Sequence, residues 1–125
     1  MAQILVIDDE PQVRRLLSHI LERAGHAVVE ASDGMEGLTA ARARRPDLVV
    51  TDILMPNKEG IETIRELRRE VPKLPILVIS GDPGSALYLE MAKLLGAHAA
   101  LTKPFRASDL LKAVEGLLMP QAPAV

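Results

Sequence analysis

Short apolar runs alternate with amphipathic helical stretches along the chain, and this alternation limits the choice of fold more than any other feature. Five runs have this character, the last of them more weakly: residues 4–7, 27–29, 48–50, 76–79 and 97–101. Continuous aliphatic runs are typical of strands covered on both faces, because a strand with one face in water shows alternating polar residues instead. The runs therefore predict the strands of a parallel sheet.

Between the runs, apolar residues recur at the helical period of about 3.6. These stretches occupy residues 13–24, 34–45, 61–71, 87–95 and 110–118. Gly25 and Gly96 are predicted to end the first and fourth helices, and Pro46 and Pro72 follow the ends of the second and third. Asp33 is predicted to cap the second helix. Five strand–helix repeats indicate an α/β fold, a (βα)5 open doubly wound parallel sheet with helices on both faces.

The composition suits one domain with a single core, for which 125 residues are enough. We expect residues 1–119 to form this domain and residues 120–125 to be a tail or the start of a linker. The net charge of -2 gives no general attraction to nucleic acid or anionic membranes, and the absence of cysteine excludes thiolate metal sites. No signal-peptide pattern and no apolar run near the roughly 18 residues of a membrane span are present, so the expected location is cytoplasmic.

Polar side chains follow four of the five predicted strands. Asp8 and Asp9 follow the first, Asp52 ends the third, Ser80 ends the fourth and Lys103 comes just past the fifth. Because parallel strands bring their carboxyl ends to one edge, where open α/β sheets bind ligands, these groups are predicted to meet. Three carboxylates at roughly 5 Å spacing repel by about a few kcal/mol, so a cation must bind or their pKa values must rise.

Oxygen ligands without Cys or His favour Mg²⁺ over zinc, with Mn²⁺ as an alternative. Since Mg²⁺ keeps several waters and shares phosphate oxygens, an open site beside a carboxylate favours phosphoryl transfer. In this interpretation Asp52 is the nucleophile, Lys103 and Mg²⁺ neutralise the phosphoryl oxygens, and Ser80 donates a hydrogen bond to one of them. The three histidines are predicted to be surface or helix-face residues that bind no metal: His19, His26 and His98.

Four motifs, "VIDDE" at residues 6–10, "VVTDILMPNKEG" at 49–60, "VISG" at 78–81 and "LTKPF" at 101–105, together resemble the CheY-like receiver domain of bacterial two-component response regulators. The resemblance extends from about residue 3 to residue 118. It implies a flavodoxin-like sheet with strand order 2-1-3-4-5. It also implies a signalling phosphoprotein with self-catalysed phosphotransfer and slow autodephosphorylation, not a turnover enzyme.

Applied to this sequence, the resemblance implies that Asp52 is the phospho-acceptor and that Ser80 takes the Ser/Thr switch position. Lys103 would pair with the phosphoryl group, and its bond to Pro104 would be cis. The implied protein ligands of Mg²⁺ are Asp8, Asp9, Asp52 and the backbone carbonyl of Leu54. The implied partners are a sensor histidine kinase or phosphotransfer protein and an output partner on the face of the fourth helix, fifth strand and fifth helix. Homodimerisation on phosphorylation is a further expectation, with no direct binding of nucleic acid or membrane.

One position departs from the pattern of the family. Three residues before the lysine, many members have Tyr or Phe, whose ring turns inward as the Ser/Thr moves, whereas this chain has Ala100. We therefore expect movement of Ser80 to be transmitted by shifts of loops and helices without a ring flip.

The sequence leaves two other functions as alternatives. A receiver-like module could act in docking or dimerisation without phosphorylation, although the complete acidic set and Lys103 argue against it. An Mg²⁺-dependent aspartyl phosphatase usually has Asp-x-Asp at one strand end, whereas the adjacent Asp8 and Asp9 project apart. One of these two aspartates could instead cap the first helix, and we expect Asp9 to be the direct metal ligand.

Overall fold

The computed structural model describes residues 2–53, 59–80, 90, 93–94 and 96–119. Within these ranges, five strands and four helices have defined bounds. In chain order they are β1 (Gln3–Ile7), α1 (Pro11–Arg23), β2 (Ala27–Ala31), α2 (Gly34–Arg44), β3 (Leu48–Asp52), α3 (Glu59–Glu70), β4 (Ile76–Ser80), β5 (Ala99–Thr102) and α4 (Ala107–Leu118).

The strands form one parallel sheet in the order β2-β1-β3-β4-β5, which confirms the predicted fold class and strand order. From β2 the chain passes over β1 to reach β3, so the strand order reverses between β1 and β3. Ile7 is the register partner of Thr51, and the residues that follow them are Asp8 and Asp52. The point where an open α/β sheet binds ligands therefore lies between two acidic strand ends.

Apolar side chains cover both faces of the sheet. Successive strand residues point to opposite faces, so Leu5 and Ile7 belong to one cluster of buried residues and Ile4 and Val6 to the other. The first cluster is closed by α2 and α3 and the second by α1 and α4, through helix residues that include Ala41, Ile64, Leu67, Leu17, Leu21, Leu110 and Val114. Coverage on both faces explains why the strands read as continuous aliphatic runs.

The predicted helix ends are largely found where glycine, proline and capping residues indicated them. Gly25 follows α1 with φ of 97°, a left-handed conformation that glycine adopts without steric cost. The Asp33 side chain accepts a hydrogen bond from the Glu36 amide at 2.8 Å and caps α2. Arg45 takes the left-handed conformation at the end of α2, directly before Pro46.

Parts of the predicted organisation lie outside the described residues. The fourth predicted helix falls there except for Glu90, Lys93 and Leu94, which are helical. The helix labelled α4 is therefore the fifth predicted helix. The backbone carbonyl of Leu54 and the predicted tail at residues 120–125 also lie outside. Among the helices that are described, none has the length and apolar character required to cross a bilayer.

Candidate functional site

Three carboxylates meet at the carboxyl edge of the sheet. Asp8 follows β1 and is fully buried, Asp9 is exposed, and Asp52 at the end of β3 is 7% exposed. One carboxylate oxygen from each residue lies within 4.8 Å of the other two. The register of β1 on β3 explains this convergence, because it places the residues after Ile7 and Thr51 side by side. The structure therefore brings the three predicted aspartates together.

Asp8 is held in place by several hydrogen bonds. Its amide donates to the Ala31 carbonyl at 3.1 Å, and its Oδ1 accepts from the Glu10 amide at 2.9 Å. Its carbonyl accepts from Arg14 Nη1 at 2.8 Å. Its Oδ2 is buried and has no hydrogen-bond partner among the described residues. A buried carboxylate oxygen without a donor is expected to bind a cation or a proton.

The environment of Asp8 favours the protonated form. Burial, the largest cause, together with the charges of Asp52 and Asp9, raises the pKa of Asp8 to about 6. The Glu10 amide and the positive charge of Lys103 act in the opposite direction on this pKa. Lys103 therefore lies close enough to the acidic cluster to stabilise its negative charge.

Ser80 and Lys103 lie at the same edge of the sheet. Ser80 ends β4 and is 1% exposed, and its carbonyl accepts a hydrogen bond from the Lys103 amide at 2.7 Å. Lys103 is half-buried directly after β5, and the Lys103–Pro104 peptide bond is cis. Neighbouring strand ends thus bring both residues to the carboxyl edge at which the aspartates meet.

The donor set fits a hard divalent cation. The three groups offer only carboxylate oxygens, and one of these oxygens is the buried Oδ2 of Asp8. Mg²⁺ prefers oxygen ligands and commonly uses one or two carboxylates while it keeps several waters. Bound there, it would relieve both the repulsion among the carboxylates and the missing partner of Oδ2.

Arg14 is a neighbour of the site that the sequence did not reveal. It lies in the first turns of α1, and its guanidinium joins the Asp8 carbonyl to the Glu30 side chain on β2. In the sequence, Arg14 and Arg15 both look like solvent-facing residues of an amphipathic helix. No local signal separates them, because the distinction depends on the position of β2 beside β1.

Comparison with known proteins decides the family. Residues 4–115 match the family described as the response regulator receiver domain. The chain belongs to this family. The match begins in β1 and ends within α4, so it includes β1 except for its first residue, the other four strands and all the described site residues.

Relatives of this receiver domain differ in length. Protein PilH of Pseudomonas aeruginosa is 34% identical over 120 residues, which cover 94% of this chain and 98% of PilH. The alkaline phosphatase synthesis transcriptional regulatory protein PhoP of Bacillus subtilis is 39% identical over 119 residues, which cover 93% of this chain and 48% of PhoP. This receiver domain therefore spans about half the length of PhoP and nearly all of PilH.

Solved structures show the same fold. The response regulator receiver domain protein of Clostridium thermocellum superposes with a TM-score of 0.89 at 32% identity, covering 94% of each chain. The chemotaxis protein CheY4 of Vibrio cholerae superposes with a TM-score of 0.87 at 34% identity, covering 94% of this chain and 99% of CheY4. Both have the receiver fold over nearly their full length.

Proposed function

We propose that this receiver domain accepts a phosphoryl group on Asp52 in a reaction that depends on Mg²⁺. The observation that supports the proposal is the convergence of Asp8, Asp9 and Asp52, with one buried oxygen of Asp8 lacking a donor among the described residues. Within this proposal the same three carboxylates are the metal ligands. The Leu54 carbonyl is retained as a proposed ligand from the family resemblance.

The proposed chemistry assigns one role to each residue. A carboxylate oxygen of Asp52 attacks the phosphorus and forms a new O–P bond. The bond from phosphorus to the donor breaks, and its electron pair stays on the nitrogen of a phosphohistidine or the oxygen of an acyl phosphate. Lys103 neutralises negative charge on the phosphoryl group, and the Ser80 hydroxyl donates a hydrogen bond to one phosphoryl oxygen. Mg²⁺, when bound, supplies further positive charge to the carboxylates and the phosphoryl oxygens.

The proposed biological role is that of a switch and not a turnover enzyme. The phosphoryl donor would be a sensor histidine kinase or a phosphotransfer protein. The phosphorylated domain would then favour one of two conformations and present it to an output partner. We place this exchange in the cytoplasm and assign the receiver function to residues 1–119.

The direct test is treatment with acetyl phosphate followed by mass spectrometry of the intact protein. We expect the mass of one phosphoryl group to be added in the presence of Mg²⁺ and not after chelation with EDTA. Asp52→Asn should abolish the addition, because the amide is a far weaker nucleophile than the carboxylate. Asp47→Asn is the matched control, since Asp47 lies at the opposite end of β3 and its side chain accepts a hydrogen bond from the Gln3 amide.

Phosphate uptake by Asp52→Asn at the rate of the control would refute the assignment of the acceptor. No uptake by any form would instead favour the docking alternative. Steady hydrolysis of small phosphate esters would favour the phosphatase alternative.

A second prediction concerns the transmission of the switch. Ala100 is half-buried in β5, is the register partner of Val78 and packs against the apolar cluster on one face of the sheet. We expect a phosphoryl mimic, beryllofluoride with Mg²⁺, to shift the backbone amide resonances of Ser80, β5 and α4 although no aromatic ring occupies position 100. Absence of any shift beyond the immediate site would contradict this route.

A further inference from the structure

Arg14 connects three elements next to the acidic cluster. It lies on α1, and its Nη1 donates to the Asp8 carbonyl at 2.8 Å while its Nε donates to Glu30 Oε1 at 3.0 Å. Its side chain is only 16% exposed, compared with 38% for that of Glu30. The neighbouring Arg15 is exposed on the same helix. Arg14 thus differs from an ordinary solvent-facing arginine in both burial and bonding.

The carbonyl that Arg14 contacts belongs to the peptide unit that joins Asp8 to Asp9. A peptide unit is planar, so a hydrogen bond to its oxygen constrains the ψ angle of Asp8 and the φ angle of Asp9 together. These two angles set the relative directions of the two Cα–Cβ bonds from which the carboxylates extend. The Glu10 amide restrains Asp8 Oδ1 separately at 2.9 Å, but it does not restrain this carbonyl.

We propose that Arg14, anchored by Glu30, is a positioning residue that holds the Asp8–Asp9 peptide in the orientation required for Mg²⁺ binding. This inference rests on the proposed function of the site. The planar guanidinium suits the role because it can donate to two partners in fixed directions at once, whereas lysine has a single ammonium group. Groups that orient metal ligands typically change metal affinity by about 10- to 100-fold when they are removed.

The test is titration of Mg²⁺ alone into the full chain, followed by the backbone amide resonances of Asp9 and Glu10. We expect Arg14→Met, which keeps an apolar stem of similar length, to weaken Mg²⁺ binding by about tenfold. Arg14→Lys should recover part of this loss. Arg15→Met is the matched control and should leave the dissociation constant unchanged.

Glu30→Ala tests the anchor without removing the guanidinium. Glu30 lies on the edge strand β2 and is exposed, so the variant is expected to fold even if Arg14→Met does not. We expect it to weaken Mg²⁺ binding by about threefold, because the hydrogen bond that orients Arg14 is lost. Urea unfolding of every variant separates loss of affinity from loss of stability, since titrations far below the unfolding transition report on the folded protein alone.

Unchanged Mg²⁺ affinity in both Arg14→Met and Glu30→Ala would overturn the inference. An affinity loss in Arg15→Met equal to that in Arg14→Met would also overturn it, since the effect would then reflect net charge. Failure of the wild-type protein to bind Mg²⁺ would refute the proposed function itself. The two failures are therefore distinguishable.

Discussion

Replacing Asp8 with asparagine is expected to stabilise the metal-free protein while it weakens Mg²⁺ binding. The pKa of Asp8 is raised from 3.8 to about 6, chiefly by burial and then by the neighbouring aspartates, so ionised Asp8 opposes folding at neutral pH. This difference corresponds to at most about 3 kcal/mol. Asparagine removes the buried charge, and its NH₂ group, placed where Oδ2 lies, can donate to the nearby carboxylates.

The expected pH dependence of stability follows from the raised pKa of Asp8. The folded protein holds the Asp8 proton more tightly than the unfolded chain, so the destabilisation is absent below about pH 3.8 and complete above about pH 6. Asp8→Asn should therefore unfold at higher urea concentration than wild type at pH 7.5, and the difference should shrink as the pH falls toward 4. Added Mg²⁺ should stabilise wild type and have little effect on the variant, whose affinity is expected to be lower by about 100-fold.

Asp47→Asn is the control for this experiment, because Asp47 is an exposed aspartate at the opposite end of β3. It should show neither the gain in stability nor the loss of Mg²⁺ binding. An Asp8→Asn protein less stable than wild type at pH 7.5 would contradict the account, because the buried charge would then be compensated by contacts that the structure does not show.

The convergence of the aspartates was predictable because it follows from the parallel arrangement of the strands. Aliphatic runs without polar alternation indicate a sheet covered on both faces, and repeated crossovers bring Asp8 and Asp52 to one edge. Neither step requires knowledge of side-chain positions. The convergence of the three aspartates could therefore be predicted from the order of the motifs, and the described structure brings them together.

The difference between Asp8 and Asp9 was harder to predict from the sequence. The sequence favoured Asp9 as the direct ligand, with a helix cap for the other aspartate, and the direct ligation itself stays a prediction. The structure places Glu10, and neither aspartate, at the N-cap of α1. Asp8 is the buried one of the two, with Oδ1 accepting from the Glu10 amide and Oδ2 without a partner among the described residues. Adjacent residues in a loop can exchange exposure with a small change in backbone angles, and the hydrophobic pattern does not report that change.

Two arginines show more clearly which contacts the hydrophobic pattern of the sequence does not reveal. Arg14 and Arg68 occupy helical positions that resemble any exposed cation in the sequence. Their partners are up to 16 residues away for Arg14 and up to 30 for Arg68, on strands or loops whose positions depend on the whole fold. Local periodicity cannot identify such contacts, because it reports only which face of a helix is apolar.

Arg68→Met is expected to lower the free energy of unfolding by about 2–3 kcal/mol. The guanidinium of Arg68, near the end of α3, donates to several backbone carbonyls that lead into β4 and β5. These acceptors are the carbonyls of Val71, Pro72, Leu74 and Gly96. Methionine keeps the apolar stem but leaves the acceptors without this charged donor, and the bond to Gly96 at 2.6 Å joins segments that are 28 residues apart.

Gly96 and His98 also support a role of Arg68 in joining the segments that lead into β4 and β5. Gly96 has φ of 118°, and a Cβ there would lie 2.6 Å from Arg68 Nε, so the glycine leaves room for the arginine. His98 Nδ1 lies 3.2 Å from Arg68 Nη2 and accepts a hydrogen bond from the Ile76 amide at the same distance. Burial, and to a lesser degree the charge of Arg68, lowers the pKa of His98, so neutral His98 favours folding and this contribution is lost as the pH falls below about 6.5.

The measurement is urea unfolding at pH 7.5 together with an NMR titration of the His98 imidazole. Arg68→Met should shift the unfolding midpoint downward, and the His98 pKa should rise once the neighbouring charge is removed. Arg69→Met is the matched control, because the Arg69 side chain is 72% exposed and pairs only at 3.5 Å with Glu66. Its effect should stay within about 0.5 kcal/mol, as is usual for exposed ion pairs. Equal destabilisation by the two substitutions would mean that general helix charge, and not the bonds to the carbonyls, explains the role of Arg68.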